Sequence, residues 1–210
     1  MTRLVILGAG GHGKVVADVA QLSQDYDKLL FLDDAFERIG ECAGLPVAGP
    51  LSDFSRYINE HTHFFVAMGS CAGRQSWLQQ LLAAKAQLAT LIHPTAIIAH
   101  SVVIESGVLI CAGAIINPDS KIGLGVIINT GATIDHDCVI GAYSHVCPGV
   151  SIAGMVHVGE LCWLGIGANV IQLITIADHC TLGAGATLIH STQAGQTLVG
   201  VPARPISKKE

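Results

Sequence analysis

The sequence predicts two parts, a small parallel α/β domain over residues 1–92 and a β-solenoid over residues 93–210. Three observations carry this. Half of the 210 residues are hydrophobic but only 5% are aromatic, so the core must be Ile, Val, Leu, Ala and Gly, which suits tightly stacked backbone. Every sixth residue from Ile98 to Leu188 is aliphatic. Ahead of that register, short apolar runs alternate with helical spacing around a glycine-rich loop.

In the first part, residues 3–7 (RLVIL) read as a strand and Gly8 to Gly13 as a tight loop. Residues 14–23 have helical spacing, with Val15, Val16, Val19, Ala20 and Leu22 along one side. A second strand over 29–32 ends at Asp33 and Asp34, and a third over 64–68 ends at Gly69 and Ser70. A helix over about 74–86 and a strand over 89–92 follow. Strands alternating with helices imply a parallel sheet.

His93-Pro94 marks the switch to the repeat. Stepping by six gives Ile98, Ile104, Ile110, Ile116, Ile122, Ile128, Ile134, Ile140, Val146, Ile152, Val158, Leu164, Val170, Ile176, Leu182 and Leu188. Chance odds of such a column are on the order of 10⁻⁸. Two residues before each lies a small or apolar residue, such as Ala114, Ser120, Cys138 or Ala168, often preceded by Gly. Both columns point inward, and each six-residue unit makes one strand and one corner. Three hexads make one coil of 18, giving roughly five coils to about residue 190. Residues 200–205 read as an irregular end piece.

Several classes are excluded. The hydrophobic content is too high for disorder. No 18-residue apolar stretch free of Gly, polar or charged residues occurs, so no membrane span is expected. A net charge of −5 without a basic patch argues against nucleic acid. The start lacks a signal peptide's features, and the seven cysteines contain no C-x-x-C, so reduced thiols in the cytoplasm are expected.

Two motifs carry chemistry. Gly8, Gly10 and Gly13 form G-x-G-x-x-G between strand and helix, with Asp33 and Asp34 beyond. Such backbone approaches phosphate closely at a helix N-terminus. The domain is about half a full dinucleotide fold, and His12 sits within the loop, so a nucleotide or nucleotide-sugar loop is favoured over NAD. A plain tight turn also fits. The second motif is Asp135-His136-Asp137, placed at a corner because Ile134 points inward. A carboxylate beside a histidine fixes its tautomer and suits general-base work; a solvated corner has the same composition. His145 falls on another face, with Trp163 one coil above it. His61 and His63 read as loop histidines rather than a metal pair. No two solenoid histidines have the five-residue spacing of a carbonic-anhydrase-type metal site, and no Thr ladder marks an ice- or carbohydrate-binding face.

The segments GAGGHGKVVAD, FLDD, VAMGS, the unbroken hexads, IDHDCVIG, SHV and VGVPAR together resemble the NeuD/PglD family of sugar acetyltransferases. The likeness covers the whole chain and is nearest to bacterial UDP-4-amino-sugar N-acetyltransferases. It implies a small α/β Rossmann-like N-terminal domain followed by a left-handed parallel β-helix. It also implies a homotrimer with acetyl-CoA between adjacent β-helices, and no metal. By motif, His136 is the base and Asp137 its acidic partner; many relatives have Glu at the latter position. Asn129 and Asp135 line the acceptor site. His145, Gly154 and Ile166 contact acetyl-CoA, and Gly10, Gly11, His12, Asp33, Asp34 and Gly69 hold the UDP-sugar. The implied reaction is direct attack of a sugar C4 amine on the thioester. A sialic-acid-type O-acetyltransferase and a GDP-perosamine N-acetyltransferase are the alternatives.

Overall fold

The computed structural model describes residues 2–206 and divides into two compact units, 1–94 and 95–210. In the first, β1 (Arg3–Leu7), β2 (Lys28–Leu32), β5 (Thr62–Val66) and β6 (Gln87–Leu88) form a parallel sheet in the order β2-β1-β5-β6. Leu4, Val5, Ile6 and Leu7 are fully buried, as are Phe64 and Phe65. Strands covered on both faces read as continuous apolar runs, which is why these segments were visible in the sequence.

Helix α1 spans Gly11–Ser23 and starts three residues before the expected boundary. Gly11, His12 and Gly13 are therefore its first turn and not loop. Its N-cap is Gly10, with no side-chain capping bond to announce the start. The buried face is Gly13, Val16, Ala17, Val19 and Ala20, whereas Val15 and Leu22 are exposed. A Cβ on Gly13 would collide with the Gly8 carbonyl oxygen, so glycine there lets the helix pack tightly on the loop after β1. Helix α3 spans Cys71–Ala83, also three residues early, because Ser70 caps it by accepting from Gly73 N–H at 3.3 Å. Between β2 and β5 lie a short helix α2 (Phe36–Ile39), a hairpin of β3 (Glu41–Cys42) and β4 (Leu45–Pro46), and a 3₁₀ turn (Leu51–Tyr57). The hydrophobic period foretold none of these short elements.

The second unit is a three-faced parallel solenoid. Two-residue strands recur every six residues and pair with strands 18 residues away, as in Thr133↔Ser151 and Ile134↔Ile152. Face 1 carries Leu109–Ile110, Ile127–Ile128, His145–Val146, Trp163–Leu164 and Thr181–Leu182. Face 2 carries six strands, Ile97–Ile98 through Thr187–Leu188, and face 3 five, Val103–Ile104 through Thr175–Ile176. The aliphatic column from Ile110 to Leu188 and the small-residue column from Val108 to Ala186 fill the interior. Ser120 and Ser144 share it, fully buried.

The corners explain the glycines. From Gly107 to Gly185, every sixth residue has a positive φ. Half of these positions are Gly, and the rest include Asp119, Asp137, Tyr143 and Leu161. The C-terminal tail is regular where the sequence predicts an irregular end piece. Thr197–Val199 extends face 1, and Arg204–Pro205 pairs with it antiparallel, so the end piece is ordered.

Candidate functional site

The solenoid site grows from the corner after Thr133–Ile134, on the edge between faces 2 and 3. Ile134 is inward, and the next three residues turn the chain. Asp137 is left-handed, at φ 57°, and its N–H donates to Pro118 O at 3.0 Å. Ser120 reaches up from the preceding coil. Its hydroxyl donates to Asp135 O at 2.8 Å and accepts Cys138 N–H at 3.1 Å. The fold thus holds the turn at both ends.

On this turn the imidazole of His136 meets the Asp137 carboxylate, Nδ1 to Oδ2 at 2.8 Å, with both side chains about half exposed (51% and 50%). A carboxylate only accepts, so Nδ1 carries the ring proton and Nε2 presents its lone pair. The bond to Asp137 raises the His136 pKa above the ordinary histidine value, and the charges of Asp135 and Asp137 add to the rise against a smaller desolvation effect. Gly154, one coil on, lies against the ring. A Cβ there would stand 2.7 Å from Nε2. The absence of a side chain at Gly154 therefore provides the space for the imidazole.

Asp135 points the other way, into a groove of about 440 Å³ on face 2 lined by Asn117, Thr133, Ser151, Asn169 and Gln172. Its Oδ1 accepts from Asn117 Nδ2 at 2.9 Å and from His136 N–H at 2.8 Å. These bonds, the Asn117 one foremost, hold its carboxyl below the usual range.

The opposite border of face 2 is the edge shared with face 1. There Asn129 Nδ2 contacts His145 Nε2 at 3.0 Å. Thr130 N–H donates to Asn129 Oδ1 at 2.8 Å, which orients the amide, so His145 Nε2 accepts and its proton is on Nδ1. His145 is buried, and its ring meets Trp163 edge-on at 4.5 Å in the register expected from the 18-residue step. Ile166 is exposed on this edge, two coils beyond Thr130. Of the residues at these two edges, Asp135 lines the groove itself.

In the first unit, the strand order reverses between β1 and β5, the crevice where α/β sheets bind ligands. Gly10 and Gly11 lie there on exposed backbone, and a Cβ on either would meet nothing within 4 Å. Asp33 is committed to the fold, its Oδ2 accepting Ala9 N–H at 2.8 Å and its Oδ1 Ala35 N–H at 2.9 Å. Asp34 Oδ1 accepts Leu51 N–H at 3.0 Å. The pair thus shapes the loop, and its contact with a nucleotide is a separate matter. Gly69 O accepts from Arg74, a wholly buried residue whose Nη1 also reaches Met68 O at 2.7 Å. Burial, with the Arg74 charge second, lowers the His12 pKa to about 4. His12 is therefore neutral near pH 7. Arg74 was missed in the sequence because a charged residue on a helix reads as surface.

His63 is no half of a metal pair, since its ring nitrogens face Tyr26 Oη and Gln87 Oε1, each at 3.1 Å. No cluster of three or more His, Cys, Asp or Glu able to hold a metal occurs among the described residues.

Residues 3–81 match the family model for the PglD N-terminal domain. A curated relative, UDP-N-acetylbacillosamine N-acetyltransferase of Bacillus subtilis (strain 168), is 38% identical over 115 residues, 53% of this chain. That alignment spans 52% of the relative's length. Among solved structures, the acetyltransferase domain of PglB from Neisseria gonorrhoeae FA1090 superposes with a TM-score of 0.95 at 36% identity, covering 98% of this chain and 100% of that one. Perosamine N-acetyltransferase from Caulobacter crescentus, solved as a mutant with CoA and GDP-perosamine, gives 0.94 at 35% identity, covering 99% and 98%. With like identity over nearly full length, and with its solenoid of the left-handed β-helix type, the chain belongs to the NeuD/PglD family of sugar acetyltransferases.

Proposed function

We propose that the protein transfers acetyl from acetyl-CoA to the 4-amino group of a UDP-linked 4-amino-4,6-dideoxy sugar, with His136 as general base. The observation that carries this is the Asp137–His136 pair, Nδ1 proton bound and Nε2 open, on a turn whose Asp135 lines the face 2 groove. The amine nitrogen attacks the thioester carbon, His136 Nε2 takes its proton, and the tetrahedral intermediate collapses to amide and CoA thiolate. The imidazolium then returns the proton to sulfur. Asp137 holds the tautomer and stabilises the imidazolium. Asn129 and Asp135 line the acceptor side; His145, Gly154 and Ile166 contact acetyl-CoA.

The domain over 1–92 holds the nucleotide, with the backbone of Gly10, Gly11 and Gly69 facing it and neutral His12, Asp33 and Asp34 around it. Three copies of the domain over 93–210 associate, and acetyl-CoA lies between neighbours. The setting is cytoplasmic and the product feeds glycan biosynthesis. A GDP-amino sugar is the second reading, favoured by the likeness to perosamine N-acetyltransferase over 99% of the chain.

The test is thiol release from acetyl-CoA with UDP- and GDP-linked 4-amino sugars and with hydroxyl acceptors, product masses followed. Acetylation of a UDP-4-amino sugar is expected. Faster turnover of a GDP-amino sugar moves the assignment to the second reading, and release with hydroxyl acceptors alone contradicts N-acetylation.

A further inference from the structure

We propose that Asn117 is the positioning residue of the catalytic turn: from the preceding coil it fixes the Asp135 carboxylate and, through it, the backbone of His136. The inference rests on the reading of His136 as base. Asn117 Nδ2 and the His136 N–H converge on one oxygen, Asp135 Oδ1, at 2.9 and 2.8 Å. The base's own amide is thereby tied to a group anchored on the next coil. Asp135 Oδ2 has no hydrogen bond among the described residues and belongs to the wall of the groove.

The repeat supplies an internal control. The turn at 159–162 has the same backbone clamp, with Ser144 Oγ donating to Gly159 O at 2.8 Å and accepting Cys162 N–H at 2.9 Å. The positions equivalent to Asn117 and Asp135 are there Gly141 and Gly159. There the Glu160 N–H, equivalent to that of His136, donates to Asp178 Oδ1 of the following coil at 2.8 Å, so the turn holds this N–H with a carboxylate but without an asparagine from the coil before. Along their own column, at steps of 18, the residues are Ala99, Asn117, Asp135, Ala153 and Ile171. The polar pair occurs only where it meets His136. Holding this N–H with a carboxylate is common to both turns, and the Asn117 amide that fixes the carboxylate from the preceding coil is the feature particular to His136.

The test compares Asn117→Ala and Asn117→Asp with wild type in the full-length chain. The charged or titratable groups around position 117 are Asp135, His136 and Asp137 on the turn, Asp119 on its own corner, and His100 one coil before; Ala153, Gly154 and Met155 beyond are uncharged. Asn117→Ala should lower kcat about 10- to 100-fold, the usual result of a misplaced base, with KM for acetyl-CoA and the melting temperature nearly unchanged. In Asn117→Asp the introduced carboxyl can donate to Asp135 Oδ1 only when protonated. Its rate relative to wild type should therefore fall between about pH 5 and about pH 8. Amide exchange at His136 should quicken in Asn117→Ala, a readout independent of turnover. Unchanged exchange, wild-type kcat in Asn117→Ala, or a loss of kcat matched by loss of folded protein overturns the proposal. A wild type that releases no thiol with any amino sugar overturns the functional reading instead, while the exchange result still decides the role of Asn117.

Discussion

The turns at 135–138 and 159–162 share a backbone. In each, a buried serine of the preceding coil bridges the first carbonyl and the last N–H. In each, the third residue is left-handed, Asp137 at φ 57° and Leu161 at φ 56°. In each, a cysteine thiol donates to carbonyls, Cys138 to Ala153 O at 3.3 Å and Cys162 to Ala177 O at 3.2 Å. They differ in three side chains. One turn reads Asp-His-Asp and the other Gly-Glu-Leu. The repeat dictates the corner, and chemistry is grafted on it by substitutions that leave the backbone untouched.

The largest expected effect comes from removing the base. His136→Ala should lower kcat by about 10²–10⁴-fold with the far-UV spectrum and assembly unchanged, since the Ser120 clamp and the left-handed Asp137 make the turn. Gly154→Ala follows. Its methyl would stand 2.7 Å from His136 Nε2, so the ring must move, and a loss of about 10²-fold in kcat is expected at near-normal stability. Asp137→Asn retains a residue tolerant of the left-handed corner but removes the charge. The carboxylate raises the His136 pKa, so its loss lowers it, and the acidic limb of the kcat/KM profile moves to lower pH while the maximum falls about tenfold. The smallest contrast is in stability. Ser120→Ala and Ser144→Ala each strand a buried N–H and carbonyl, at about 1–3 kcal/mol. Similar drops in melting temperature are expected, with a kcat effect only for Ser120→Ala.

The same contrast shows what can be read from residues alone. The solenoid was legible because its period is written in the chain at every sixth position, from Ile98 to Leu188. The Asp-His-Asp corner stood out because ionisable groups are rare there and Ile134 set its phase. Residues that act through tertiary neighbours were not legible. Asn117 is 18 residues from Asp135, and only stacking its column on the 18-residue step would have exposed the pair. Arg74 is wholly buried, which its helical position concealed. The two backbone bonds of Asp33, to the Ala9 and Ala35 N–H groups, were likewise not legible from its place after a strand. The start of helix α1 is not legible because Gly10 offers no capping side chain.

In the proposed reaction acetyl passes directly from CoA to the sugar amine at the His136 corner. Mass spectrometry of protein and sugar, quenched during turnover of wild type and His136→Ala, tests it most directly. Direct transfer yields a sugar heavier by one acetyl group, unmodified protein throughout, and scarcely any product from His136→Ala. An acetyl group trapped on a cysteine, or product formed by His136→Ala at the wild-type rate, would contradict it.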